Sequence, residues 1–175
     1  MKTILFFCIS SALLTASSLL TGCSAGDESG TPQAQTSDNS SGKPAAALAV
    51  AHWVKGEPVD VSSGVHVVEF WATWCPPCRT SIPHLTELQE KYGERGVKIV
   101  GISNEELGTV KSFVEKMGNK MAYTVAIDKD GVSGDYMGKY GINGIPHAFV
   151  VKDGEVVWNG HPMVKLDDAI EDALK

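Results

Sequence analysis

The chain of 175 residues is 43% hydrophobic, which is enough for one domain with its own core. Its 15 basic and 21 acidic residues leave a net charge of −6 without long runs of one sign, which excludes the basic footprint of a nucleic-acid binder.

Residues 1–22 read as an export signal. Lys2 precedes a short apolar stretch (Ile4, Leu5, Phe6, Phe7, then Leu13, Leu14, Leu19, Leu20) that ends in small residues; an uncleaved membrane anchor is the alternative, disfavoured because Ser10, Ser11, Thr15, Ser17 and Ser18 dilute a stretch barely long enough to span. Leu19-Leu20-Thr21-Gly22-Cys23 resembles the bacterial lipoprotein box, which implies that Cys23 is lipidated and becomes the mature N-terminus. Residues 23–44 are Ser, Gly, Thr, Gln and Asp with almost no apolar side chain, the composition of a flexible tether. A chain of about 20 such residues spans roughly 25 Å, enough to hold a domain clear of lipid head groups.

The remaining residues, 45–175, are expected to form the folded domain. Trp53 to Val59 reads as a strand, a turn and a second strand padding a sheet edge. Five of the seven residues from Val65 to Trp71 are apolar, His66 and Glu69 being the exceptions, and such a run suits a strand covered on both faces. A turn at Ala72-Thr73-Trp74 leads to Cys75 at the cap of a helix, with Pro76 at its first position, where a missing N–H costs nothing. Free backbone N–H groups and the positive end of the helix dipole favour a thiolate at that cap, so the Cys75 thiol is expected to drop from about 8.5 toward about 7. Cys78, one turn on, is close enough to close a disulfide onto it. The helix should continue to about Tyr92 with Ile82, Leu85 and Leu88 inward and a kink at Pro83.

Val97 to Ile102 predicts a second buried strand, and Val110, Phe113, Val114 and Met117 place a helix near Glu106 to Met117. A third strand from Tyr123 to Asp128 runs into a turn at Lys129-Asp130-Gly131 and a short helix ending near Gly141. Strands alternating with helices argue for crossover connections and a partly parallel sheet. The end changes character, with a hairpin of Ala148 to Val151 and Glu155 to Trp158, then an amphipathic helix from Leu166 to Leu174.

A lone C-x-x-C is also half a zinc ribbon, but here it follows a buried strand, opens a helix and has no second copy, so no metal site is expected. The stretch Phe70 to Cys78, FWATWCPPC, resembles the signature of thioredoxin-fold proteins of the membrane-tethered TlpA and ResA kind. The resemblance implies an α/β, thioredoxin-like fold: a central mixed sheet flanked by helices, with an N-terminal β extension. It implies a cis peptide before Pro146, facing the cysteines, with Ile145 presenting its backbone to an extended substrate strand. Glu69 lies six residues before Cys75, where thioredoxins carry a buried aspartate; burial should raise its proton affinity and suit it to carry a proton for Cys78. Trp71 is read as core and Trp74 as docking surface. His147 stands where this family most often has threonine and is read as a surface residue, while His52, His66, His84 and His161 show no ligand spacing.

Cys8 leaves with the signal and Cys23 is blocked by lipid, so Cys75 and Cys78 remain as the one free pair, a usage that points to sulfur chemistry outside the cytoplasm. The expected function is that of a membrane-tethered thiol-disulfide oxidoreductase without a cofactor, facing the periplasm or extracytoplasmic space. It would reduce disulfide-containing extracytoplasmic proteins and draw electrons from a membrane thiol transporter. A copper-binding chaperone using both thiols and His147 is the alternative from another class, since soft sulfur suits Cu(I). A peroxidase of the redoxin superfamily needs a lone peroxidatic cysteine, which this pair does not match.

Overall fold

The computed structural model describes residues 42–128 and 131–175. The expected export signal, Cys23, nearly all of the tether, and Lys129 and Asp130 of the expected turn lie outside the described residues. Seven strands of the described residues share one sheet in the order β1-β7-β6-β3-β4-β5-β2. At its centre β3 (Val65–Phe70) is buried at every position. It pairs in parallel with β4 (Lys98–Ser103) and antiparallel with β6 (His147–Lys152), so the sheet is mixed. Beyond β4 lie β5 (Thr124–Ile127), parallel, and the edge strand β2 (His52–Lys55), antiparallel. Beyond β6 lie β7 (Glu155–Gly160) and the two-residue β1 (Lys43–Pro44), both antiparallel.

Strand alternation sorts the core into two layers. Val65, Val67 and Trp71 face one layer with Ile99, Val125 and Val150; it is closed by α1 (Pro76–Gly93), α2 (Leu107–Met117) and α4 (Leu166–Ala173). Val68 and Phe70 face the other with Val100, Ile102 and Phe149, under α3 (Val132–Tyr136), Val59 and Val61. Val67 and Val68 are both fully buried, and each such side chain contributes about 1.5–3 kcal/mol over leaving it in water. Glu69 belongs by alternation to the α1 layer, between Gly101 of β4 and Ala148 of β6.

Helix α1 buries Ile82, Leu85 and Leu88, as the apolar spacing predicts, and runs on through Pro83 to Gly93. Two hydrogen bonds through Thr86 Oγ1, to the Lys120 carbonyl (2.9 Å) and from the Ala122 N–H (3.0 Å), fasten it to the 3-10 turn Gly118–Met121. One expectation fails at the N-terminal side. Trp53 to Val59 yields the single strand β2, because Gly56 turns the chain at φ +75° and residues 57–60 run on without a partner strand. Val59 is buried, but in the second core layer instead of in a strand. Among the described residues no helix is long and apolar enough to cross a membrane.

Candidate active site

The site is built where β3 ends against the start of α1. Trp71 N–H still bonds the Ile102 carbonyl (3.1 Å), then a turn closes with Cys75 N–H on the Ala72 carbonyl (3.2 Å). Cys75 is the N-cap of α1 in extended conformation, and its sulfur accepts the N–H of Cys78 at 3.2 Å. Prolines fill the next two positions, which have no N–H to leave unsatisfied. Cys75 and Cys78 are joined by a disulfide with Cα atoms 5.3 Å apart. Cys75 is 2% exposed and Cys78 not at all, so an attacking sulfur has an opening at Cys75 alone.

The loop before the cysteines is held by a residue that spacing does not single out. Glu105, just past β4, accepts the Thr73 N–H (2.6 Å) and the Thr73 hydroxyl (2.7 Å), and also bonds the Ser103 hydroxyl (3.1 Å). One carboxylate thus ties the loop to the C-terminal end of the neighbouring strand, where loops of a parallel pair converge. The acidic pair Glu105-Glu106 directly after a buried strand was the available signal.

From the other side the Ile145–Pro146 peptide, which is cis, meets the sulfurs. The Cys75 sulfur lies 3.8 Å from the Ile145 carbonyl oxygen. Trp74 is 68% exposed, beside a groove of about 330 Å³ lined by Ile145, Ile142, Met137 and Phe70 among others. Trp71 is core, as expected, and packs on Phe113 with ring centroids 5.4 Å apart.

His147 corrects an expectation. It is half-buried and not a free surface residue, with Nε2 3.0 Å from the Asn159 side-chain oxygen and its ring 5.2 Å from that of Phe149. The cross-strand pairing of β6 with β7 places Asn159 next to it, and burial lowers its proton affinity. Turned to Asn159, His147 is not arranged as a third ligand beside the sulfurs, and among the described residues no group of three or more His, Cys, Asp or Glu is placed to hold a metal. The copper reading loses its geometric basis.

Glu69 is fully buried in the layer that also holds Cys78, and neither carboxyl oxygen has a hydrogen-bond partner among the described residues. Burial pushes its acidity to about 8. A carboxyl that changes charge near neutral pH has the proton affinity that general acid–base chemistry uses. Trp71 Nε1 and the Tyr123 hydroxyl are likewise buried without a partner.

Comparison with known proteins fits this geometry. Residues 41–174 match the family model described as Redoxin. Over 92 residues the chain is 41% identical to the thiol-disulfide oxidoreductase ResA of Bacillus anthracis, a match covering 51% of this chain and 50% of that protein. Over 110 residues it is 34% identical to ResA of Halalkalibacterium halodurans, covering 59% of each. The chain thus spans about half the length of the curated relatives it matches first. Among solved structures, a thiol:disulfide interchange protein of the thioredoxin family from Chlorobium tepidum superposes with a TM-score of 0.63 at 30% identity, covering 75% of this chain and 96% of that one. The thioredoxin domain of a thiol-disulfide oxidoreductase from Bacteroides vulgatus shares the fold, with a TM-score of 0.64 at 23% identity over 77% of this chain and 97% of that one.

Proposed function

The chain belongs to the redoxin family, and we propose that within it the protein is an extracytoplasmic thiol-disulfide oxidoreductase that reduces protein disulfides. One observation carries the reading: a Cys75–Cys78 disulfide caps α1 while the cis Ile145–Pro146 peptide lies against its outer sulfur. In the reduced protein the Cys75 thiolate, favoured by the helix terminus, attacks a substrate disulfide. A mixed disulfide forms between Cys75 and one substrate sulfur, and the other substrate sulfur leaves as thiolate. Glu69 takes the proton of Cys78, whose thiolate attacks the Cys75 sulfur. The internal disulfide forms, the mixed disulfide breaks, and two electrons pass to the substrate, which departs with both sulfurs reduced.

Trp74 and the groove beside it supply an apolar surface for the substrate chain, and the Ile145 backbone offers hydrogen bonds to an extended strand laid across the sulfurs. Pro146 denies that strand's place to a metal-binding third group. No cofactor takes part. The oxidised protein is returned to the dithiol by a membrane thiol transporter, and Cys23, lipidated, keeps it within reach of that partner on the tether of residues 23–44.

The direction is tested by the reduction potential of the Cys75–Cys78 couple, expected nearer about −270 mV than about −120 mV. A value near the latter assigns the protein as an oxidant instead. Anchoring is tested separately by Cys23→Ser, which should release the protein from membranes or leave it unprocessed; an unmodified Cys23 inside an intact N-terminus in the native protein would exclude the anchor.

A further inference from the structure

Three buried polar groups that the disulfide chemistry above leaves unexplained converge on one glycine. Gly101 pairs with Glu69 across the parallel β3–β4 ladder, so both positions face the α1 layer. A Cβ on Gly101 would lie 3.0 Å from Trp71 Nε1 and 3.0 Å from Tyr123 Cε2, the ring carbon next to the one that bears the hydroxyl. The indole N–H and the phenol edge therefore occupy the space that a side chain at position 101 would fill, beside Glu69. The Trp71 N–H and the Tyr123 O–H are donors without an acceptor among the described residues, and the Glu69 carboxyl is an acceptor without a donor. Buried groups of this kind are normally paired.

We propose that Tyr123 is a positioning residue for Glu69: its hydroxyl, together with the Trp71 N–H, receives the Glu69 carboxylate when that group ionises, in a gap that Gly101 keeps open. The inference rests on Glu69 acting as the proton carrier for Cys78 and names what makes its charged state attainable. Burial alone keeps the carboxyl protonated up to about pH 8, so that only a small fraction is ionised and able to act as a base at neutral pH. Two donors held ready beside it lower the cost of the charge without exposing it to water. The coupling is visible from the tyrosine as well, whose ionisation is suppressed first by burial and then by the charge of Glu69.

The surroundings isolate the pair. Glu69 lies laterally between Gly101 and Ala148, neither of which ionises. The other ionisable groups buried in that layer are Tyr92 and the two cysteines. Tyr92 gives its hydroxyl to Asp167 (2.7 Å) and Glu171 (3.0 Å) at the far end of α1, and the cysteines are joined in the disulfide. Tyr123 is thus the ionisable neighbour that remains.

The test reads the Glu69 carboxyl directly, by 13C NMR of the glutamate-labelled full-length protein in its oxidised form, with Glu69→Gln identifying the resonance. In Tyr123→Phe the titration midpoint is expected to rise by about one pH unit, a tenfold loss of preference for the carboxylate. Release of substrate from the mixed disulfide should slow by up to the same factor at pH 7, with its pH profile displaced upward. In a Glu69→Gln background the tyrosine substitution should alter neither rate nor profile. A midpoint unmoved by Tyr123→Phe overturns the inference, as does equal slowing with and without the Glu69 carboxyl. If the midpoint moves as expected while Glu69→Gln releases substrate at the unsubstituted rate, the coupling between the two residues stands and the role of Glu69 in release falls.

Discussion

Asp128 and Glu69 are buried acids of the same sheet, one just past β5 and one near the C-terminal end of β3, and their surroundings make them opposite kinds of group. Asp128 accepts the N–H groups of Gly131 (3.0 Å), Val132 (3.1 Å) and Ser133 (2.7 Å) and the Ser133 hydroxyl. Burial alone would raise its proton affinity, but these bonds outweigh burial and hold the carboxyl below its usual range. Among the described residues Glu69 has no such donors within hydrogen-bond distance, and burial moves it to about 8. A buried acid whose lone pairs are filled is a structural charge that orders the entry to α3. Glu69, left unfilled in the core layer that also holds Cys78, keeps its proton up to about pH 8.

The largest effects test whether the chemistry lies on the Glu69 side. Cys75→Ser is expected to abolish disulfide exchange and to trap almost no substrate, because the reachable sulfur is gone. Cys78→Ser should accumulate stable mixed disulfides, visible on non-reducing gels. Equal trapping by both variants would mean that the outer and inner sulfurs are not distinguished as their burial implies.

Glu69→Gln separates the two acids by the sign of their pH dependence. The native protein holds the Glu69 proton up to about pH 8, whereas in the unfolded chain it leaves near 4.5. Between those values the native state binds more protons, so the stability tied to Glu69 is complete below about 4.5 and is lost as pH rises through 8. The glutamine variant removes this dependence. Its stability relative to the parent should therefore climb from pH 4 to pH 8, by up to about 5 kcal/mol, in urea unfolding of the oxidised proteins. A difference that stays constant over that range would mean that Glu69 is ionised in the native protein throughout.

Asp128→Ala should show the reverse, and a smaller change. Loss of the acceptor strands three backbone N–H groups and a hydroxyl, for a deficit of about 2–3 kcal/mol at pH 7. Because the folded carboxyl is held below its usual range, its contribution is present above the unfolded value and fades as pH falls through the folded one, so parent and variant should converge in acid. Disulfide exchange should stay within about twofold, the size of an indirect effect. A large loss of activity would put Asp128 in the machinery and erase the contrast with Glu69.

Both acids were plain in the sequence, yet only one was singled out. Glu69 interrupts an otherwise apolar strand six residues ahead of Cys75, and that was enough to mark it. Asp128 closes the third expected strand with no role of its own there, although the donors that fill it, at Gly131, Val132 and Ser133, follow within five residues. Glu105, whose grip on Thr73 spans 32 positions, and His147, whose partner Asn159 comes from the pairing of β6 with β7, depend instead on contacts that spacing along the chain does not show. Trp53 to Val59 failed as a strand pair for the converse reason. Its residue types suit strands, but the edge of the sheet offered a partner to β2 alone.

By itself, then, the chain determined what depends on neighbours along it: the apolar runs of the buried strands, the helix faces of α1 and α2, the proline-started helix with a cysteine at its cap, and the two-residue spacing that permits the disulfide. These follow from local sterics and from the spacing of apolar side chains, which any fold using those segments must respect. The tertiary structure alone decided which polar groups would be answered. Whether a buried donor finds an acceptor is often settled by strands and loops distant in sequence, and that is how Glu105 came to hold Thr73, His147 came to face Asn159, and Tyr123 came to lie with Glu69 and Trp71 around Gly101.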